Sequence, residues 1–247
     1  MTGDDRDQPG SAERIVELAD FAKLDVDRMA RTGIPEVVFA QSKTVEQTFA
    51  ALQGLRRANP SSPALATRCP QAVLEQAAQR FGSDEVLVDE VAGTLTVGPL
   101  PEPVGRVAVV CAGTSDLPVA RECLATLAAL GVGAVSVTDV GVAGIARLFA
   151  HLDTLRASSC VIVVAGMEGA LASVVAGLVA PPVIGVPTSV GYGVSAGGLV
   201  AAAAMLASCS PGLVTVNVDN GFGAAAHAAK IVKTAQTAQS VRTAAGR

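Results

Sequence analysis

Aromatic residues make up only 3% of this 247-residue chain, and tryptophan is missing altogether. A core without large rings has to be assembled from alanine, valine, leucine and glycine, which suits helices packed closely on a parallel sheet. Basic runs are absent and the formal net charge is −4, so nothing marks a nucleic-acid surface. Long apolar runs are absent too. A membrane-spanning helix needs about 20 continuous apolar residues, and Pro181, Pro182, Pro187, Gly191, Gly193, Gly197 and Gly198 break up the most apolar region. The five cysteines are odd in number and lack CxxC spacing. That argues against a disulfide framework and for free thiols in a reducing cytoplasm. His151 and His227 have no Cys or His at ligand spacing, which disfavours a zinc site. The start, MTGDDRDQPG, is acidic and polar, so residues 1–10 read as a disordered leader rather than a signal peptide.

The largest absence is of charge. Between Glu168 and Asp219 no side chain is charged. With no membrane span available, this stretch reads as strand, loop and helix packed on all sides, its few polar groups held at loops.

What is present divides the chain in two. Residues 11–98 are more charged and read as a small α+β domain. The expected elements are a helix over 11–27, a strand over 36–39 and a helix from an N-cap at Thr44 to Arg57, with Glu46 near its positive end. A strand over 64–67, a helix over 70–81 and a hairpin over 85–97 turning at Ala92-Gly93 complete it, and the Pro-rich stretch 99–104 is a linker. From 105 to 247 a beat sets in. Apolar, β-branched runs at 107–111, 134–138, 161–164, 183–186 and 213–218 alternate with helix-length segments. This is the pattern of βαβ units in a five-stranded, doubly wound parallel sheet.

Loops leaving the carboxyl ends of such strands line the ligand crevice, and the polar chemistry collects in them. They carry Gly113, Thr114, Ser115 and Asp116; Asp139, Gly141, Val142 and Gly144; Gly166, Met167 and Glu168; Pro187, Thr188, Ser189, Gly191, Tyr192 and Gly193; and Asp219 with Asn220. Glycines admit a ligand close to backbone, and hydroxyls at helix starts suit phosphate oxygens. Together the five loops predict a nucleotide site. Singly, each residue keeps a plainer reading. Ser115 and Asp116 can simply cap a helix, and Asp139 can be a turn residue. Glu168 is either a base at an apolar cleft or a first-turn glutamate facing the helix dipole. Tyr192 can stack on a base or close its loop over the core. Cys209 is either a small buried hydrophobe or a nucleophile. It precedes the last strand, at the sheet edge opposite the loops, so action on a ligand there requires a second subunit.

The blocks AGTSDLPVA, DVGVAGIARL, VAGMEGALASVVAGLV, PTSVGYG, MLASCSPG and VDNGFGAA, with LDVDRMARTGIPEVVFAQSKT upstream, resemble the LarB family. Its members are pyridinium-3,5-biscarboxylic acid mononucleotide synthases of nickel-pincer cofactor biosynthesis, related to PurE-type phosphoribosylaminoimidazole carboxylases. The resemblance implies a PurE-like catalytic domain over 105–247 in a cytoplasmic homo-oligomer, an octamer with shared active sites. It implies carboxylation of nicotinic acid adenine dinucleotide by CO2 or bicarbonate, then phosphoanhydride hydrolysis releasing AMP. Magnesium or another divalent cation would assist, with no organic cofactor. Cys209 falls on the family's nucleophile, Glu168 on its acid, and the Gly-Thr-Ser-Asp turn on the substrate-binding loop. The chain departs from the family at Ala146, where a histidine is usual before Arg147, and at Ser42 in the Ser42-Lys43-Thr44 block. Two rivals remain: a PurE-like aminoimidazole ribonucleotide carboxylase or mutase, and a nucleotide sensor without turnover.

Overall fold

The computed structural model describes residues 15–18 and 21–245, and the leader expected over 1–10 lies outside them. The first unit contains β1 (Ile15–Leu18), β2 (Ala22–Asp25), α1 (Arg28–Thr32), β3 (Val38–Phe39), α2 (Val45–Ala58), β4 (Ala64–Thr67), α3 (Gln71–Phe81), β5 (Val86–Asp89) and β6 (Thr94–Val97). The second contains β7 (Val104–Cys111), α4 (Leu117–Ala129), β8 (Val132–Val137), α5 (Ile145–Phe149), α6 (Leu152–Arg156), β9 (Cys160–Ala165), α7 (Ala170–Ala176), β10 (Val183–Pro187), α8 (Leu199–Leu206), β11 (Leu213–Thr215) and α9 (Gly221–Ala245).

One expected element is overturned. The helix over 11–27 is instead an antiparallel hairpin of β1 and β2 within its described part, with residues 11–14 and 19–20 outside that part. Leu18 and Leu24 reach toward Gly54 of α2, where an added Cβ would come within 2.7 Å of Leu24 and 3.5 Å of Leu18. A two-residue alternation, with Val16, Leu18 and Leu24 turned inward and Ile15, Glu17 and Lys23 outward, covers that helix better than a helical stripe would. Elsewhere in this unit local chemistry prevails. Thr44 and Gln47 form a reciprocal capping box that starts α2. The sheet order is β3-β4-β6-β5, with only β3 and β4 parallel.

The second unit is a five-stranded, wholly parallel sheet in the order β11-β10-β9-β7-β8. Alternation on its central strands shows why both faces are covered. Val107, Val109, Ile162 and Val164 pack with Cys123, Leu127, Ala224 and Ala228 of α4 and α9. Ala108, Val110, Val161 and Val163 pack with Leu148, Leu155, Leu171 and Met205 of α5 to α8. All are buried. The last strand is shorter than the expected 213–218: after Thr215 only Val216 still donates to Gly185, and the chain turns at Asn217–Asn220. Among the described residues no helix is long and apolar enough to cross a membrane.

Candidate active site

Strands β7 and β9 are neighbours, but the chain leaves them toward opposite ends of the sheet, β7 to β8 and β9 to β10. Loops that diverge this way leave a crevice at the carboxyl edge, the topological switch point of a doubly wound sheet. A crevice of about 640 Å³ lies there, lined by the loops after β7, β8, β9 and β10. Of the expected site residues, Gly113, Ser115, Asp116, Gly141, Val142, Gly166, Met167, Glu168, Gly191 and Tyr192 line it. Its other walls are Ala112, Ala143, Ala165, Ala170, Leu171 and Val190. Two carboxylates thus face an otherwise uncharged crevice, and none of the lining residues is basic.

Asp116 is 4% exposed. It stands at the N-cap position of α4 but makes no side-chain cap bond to that helix. Its carboxylate accepts instead from the Gly113 amide at 3.0 Å and the Thr188 hydroxyl at 2.6 Å. Burial raises its pKa, against the pull of those donors. Thr188 is therefore a buried strut behind the wall, bonded to a side chain 72 positions away.

Glu168 precedes the N-cap Gly169 of α7, so it lies outside the first helical turn where a dipole role would put it. Met167 (φ 53°) and Gly169 (φ 66°) flank it in the left-handed region. Met167 pays for a conformation rare in residues with a Cβ, and such strain gathers at functional sites. The turn is held by the Met167 amide donating to Val190 at 2.7 Å, and it sets Glu168 exposed at the crevice rim. Tyr192 is exposed at the same mouth, which leaves its ring available to a ligand.

The remaining expected residues stand behind or beside the crevice. Asp139 pairs with Arg147 at 2.6 Å, and Gly144 lies against that guanidinium. Asp219 accepts the Ser189 amide at 2.8 Å and donates its own amide to Pro187 at 2.8 Å, tying the last two loops together. Asn220 accepts from Gly223 and starts α9. Thr114 and Gly193 are not among the lining residues. Cys209 is also absent from the lining, in the turn between α8 and β11 at the opposite sheet edge. It is exposed, whereas Cys69, Cys111, Cys123 and Cys160 are buried. Burial pushes the thiols of Cys69, Cys111 and Cys160 up to about 12 and raises that of Cys123 as well.

Arg68 had no sequence signal. It follows β4, yet its guanidinium donates to the Asp219 carbonyl, 151 positions away. Arg147 had one, its place beside Ala146 in a matched block, but nothing in the sequence pairs it with Asp139. Among the described residues no three His, Cys, Asp or Glu side chains converge as a metal site.

Comparison with known proteins bears on both units. Residues 16–99 match the LarB/PurE-like N-terminal domain and residues 106–245 match AIR carboxylase. An uncharacterized protein of Methanocaldococcus jannaschii is 41% identical over 225 residues, which is 88% of this chain and 86% of that protein. A crystal structure of a Treponema denticola PurE2 variant aligns with 59% of this chain and 96% of its own, at 20% identity and a TM-score of 0.40.

Proposed function

Since the chain belongs to the LarB family, joining that N-terminal domain to an AIR carboxylase domain, we propose that it carboxylates the pyridinium ring of nicotinic acid adenine dinucleotide. Hydrolysis of the phosphoanhydride would then yield pyridinium-3,5-biscarboxylic acid mononucleotide and AMP, a step toward a nickel-pincer cofactor. The observation that carries this reading is the crevice's charge: two carboxylates, apolar walls and no lining cation. Such a site complements a cationic aromatic ring better than the neutral ring of an anionic aminoimidazole ribonucleotide.

A pyridinium carbon is electron-poor and does not attack CO2 unaided. In the proposed sequence the Cys209 thiolate adds to ring C4, which breaks aromaticity and leaves an enamine. Enamine C5 attacks CO2, forming the new C–C bond and an iminium at the ring nitrogen. Glu168 takes the C5 proton and restores the enamine. The C4–S bond then breaks, its electron pair returning to sulfur as the aromatic ring re-forms. The apolar walls favour uncharged CO2 and keep water from the addition intermediate. Cys209 suits the role because it is exposed while the other four thiols are buried and held protonated. Its distance from its own crevice calls for a second copy, in a homo-oligomer with shared sites. Among the described residues no three His, Cys, Asp or Glu side chains form a cage for a divalent cation, and Asp116 uses both oxygens on Gly113 and Thr188. Magnesium would be held chiefly by the substrate's own phosphate oxygens.

The test is mass spectrometry of the dinucleotide incubated with the protein and bicarbonate, with and without magnesium. The expected result is a product heavier by one carboxyl group, AMP beside it, and neither with Cys209→Ala. Aminoimidazole ribonucleotide turned over equally by the wild type and Cys209→Ala would favour the PurE-like rival. Dinucleotide binding without any product would favour a sensor. Under native conditions one thiol per chain should react rapidly with a maleimide, against five after denaturation.

A further inference from the structure

One side chain of the N-terminal unit, Arg68, contacts a loop at the carboxyl edge of the parallel sheet. Arg68 leaves β4 with φ 52°, a left-handed conformation that costs an arginine energy without glycine's freedom. Among the described residues the other non-glycine positions with positive φ are Asp139, Met167 and Asp219, all on loops at the carboxyl edge of the parallel sheet. In that conformation the Arg68 guanidinium crosses to the second unit, donates to the Asp219 carbonyl, and lies 3.9 Å from the Glu122 carboxylate. Glu122 is buried on α4 and accepts the Phe222 amide at the start of α9. Burial raises its pKa while Arg68 opposes that shift. Arg68 thus neutralises a buried acid and grips the Asp219–Phe222 turn at the same time.

From that turn the contacts continue to the crevice. The Asp219 carboxylate holds the Ser189 amide, Thr188 holds Asp116, and the Val190 carbonyl holds Met167 beside Glu168. Val190 and Asp116 are crevice walls. We infer that Arg68 is a positioning residue: the N-terminal unit uses it to hold the 187–191 loop, and through it the crevice wall, in the conformation that binds substrate. The inference rests on the proposed reading only for which substrate the crevice takes.

Hydrogen exchange of the full chain tests it without any ligand. Arg68→Asn removes the guanidinium but keeps a residue that tolerates positive φ. Amides in 187–193 and 217–224 should exchange about three- to thirtyfold faster in this variant, with β7 and β9 unchanged. Asp219→Gly, which keeps the φ and removes the next link, should loosen 187–193 to the same degree. The double variant should be no worse than either single one, because both cut one path. With the dinucleotide, Arg68→Asn should raise KM by a similar factor and leave kcat nearly unchanged. Unaltered protection of 187–193, additive effects in the double variant, or a fall in kcat at constant KM would each overturn the inference. A wild type that does not turn over the dinucleotide would overturn the proposed activity, and the exchange results would still judge Arg68.

Discussion

At Asp116, burial and charge oppose each other. The carboxyl is enclosed among Gly113, Thr188 and the crevice wall, and desolvation raises its folded pKa above its ordinary 3.8. A group with a raised folded pKa binds its proton more tightly folded than unfolded. Its ionisation therefore costs nothing well below the unfolded value. The cost grows as pH rises through the folded value and is complete above it. Asp116→Asn removes that cost and can keep both partners, its carbonyl accepting from Gly113 and its amide donating to the Thr188 hydroxyl. Urea titrations at about pH 4 and pH 7 should show the wild type losing more stability over that interval than the variant. Equal pH dependence in the two proteins would mean that this carboxyl is not the buried acid described. The sequence made Asp116 a candidate, but Ser-Asp at a helix start reads as a cap, and only Thr188, 72 positions away, shows where the carboxylate turns.

Among the elements, the loops after β9 and β10 work as one wall because they touch. A Cβ on Gly166 would overlap the Val190 carbonyl and lie 2.6 Å from the Thr188 hydroxyl and 2.9 Å from the Val190 side chain. Backbone cannot give way there as a flexible side chain can. Gly166→Ala should therefore cost about 1–3 kcal/mol, read as a lower urea midpoint at unchanged m-value, and should weaken dinucleotide binding. Unchanged stability and affinity would show that the two loops have room to separate. At this scale legibility depended on whether local chemistry decides. The capped start of α2 was readable because Thr44 and Gln47 carry their own partners, and β4 because four buried residues are bounded by turns. The pairing of β1 with β2 was not. Their apolar residues fit a helix as well as a strand pair until Gly54 of α2 provides the surface they cover.

Across the whole molecule, α8 shows an apolar side to the exterior. Leu199 and Leu206 are each 74% exposed, and Tyr192 and Val194 before them are 77% and 90% exposed. Exposed apolar residues clustered this way mark an interaction surface, and Cys209 follows on the same segment. A second copy covering this face would bury that surface and bring the thiol toward another crevice, which is what the proposed chemistry requires. Leu199→Glu combined with Leu206→Glu should lower the assembly mass in light scattering and reduce turnover in parallel, with the monomer still folded. A monomer with full activity would remove the need for a shared site.

The sequence alone determined the layering. Continuous apolar, β-branched runs separated by helix-length segments point to a doubly wound sheet covered on both faces, and its connectivity brings the glycine-rich loops to one edge, because both follow from local pattern and chain connection. Tertiary structure decided the contacts made by residues far apart in the chain: Thr188 on Asp116, Arg68 on Asp219, and the β1–β2 pair on α2. Each depends on a partner whose place is set only when the sheets have packed, and local pattern carries no record of it.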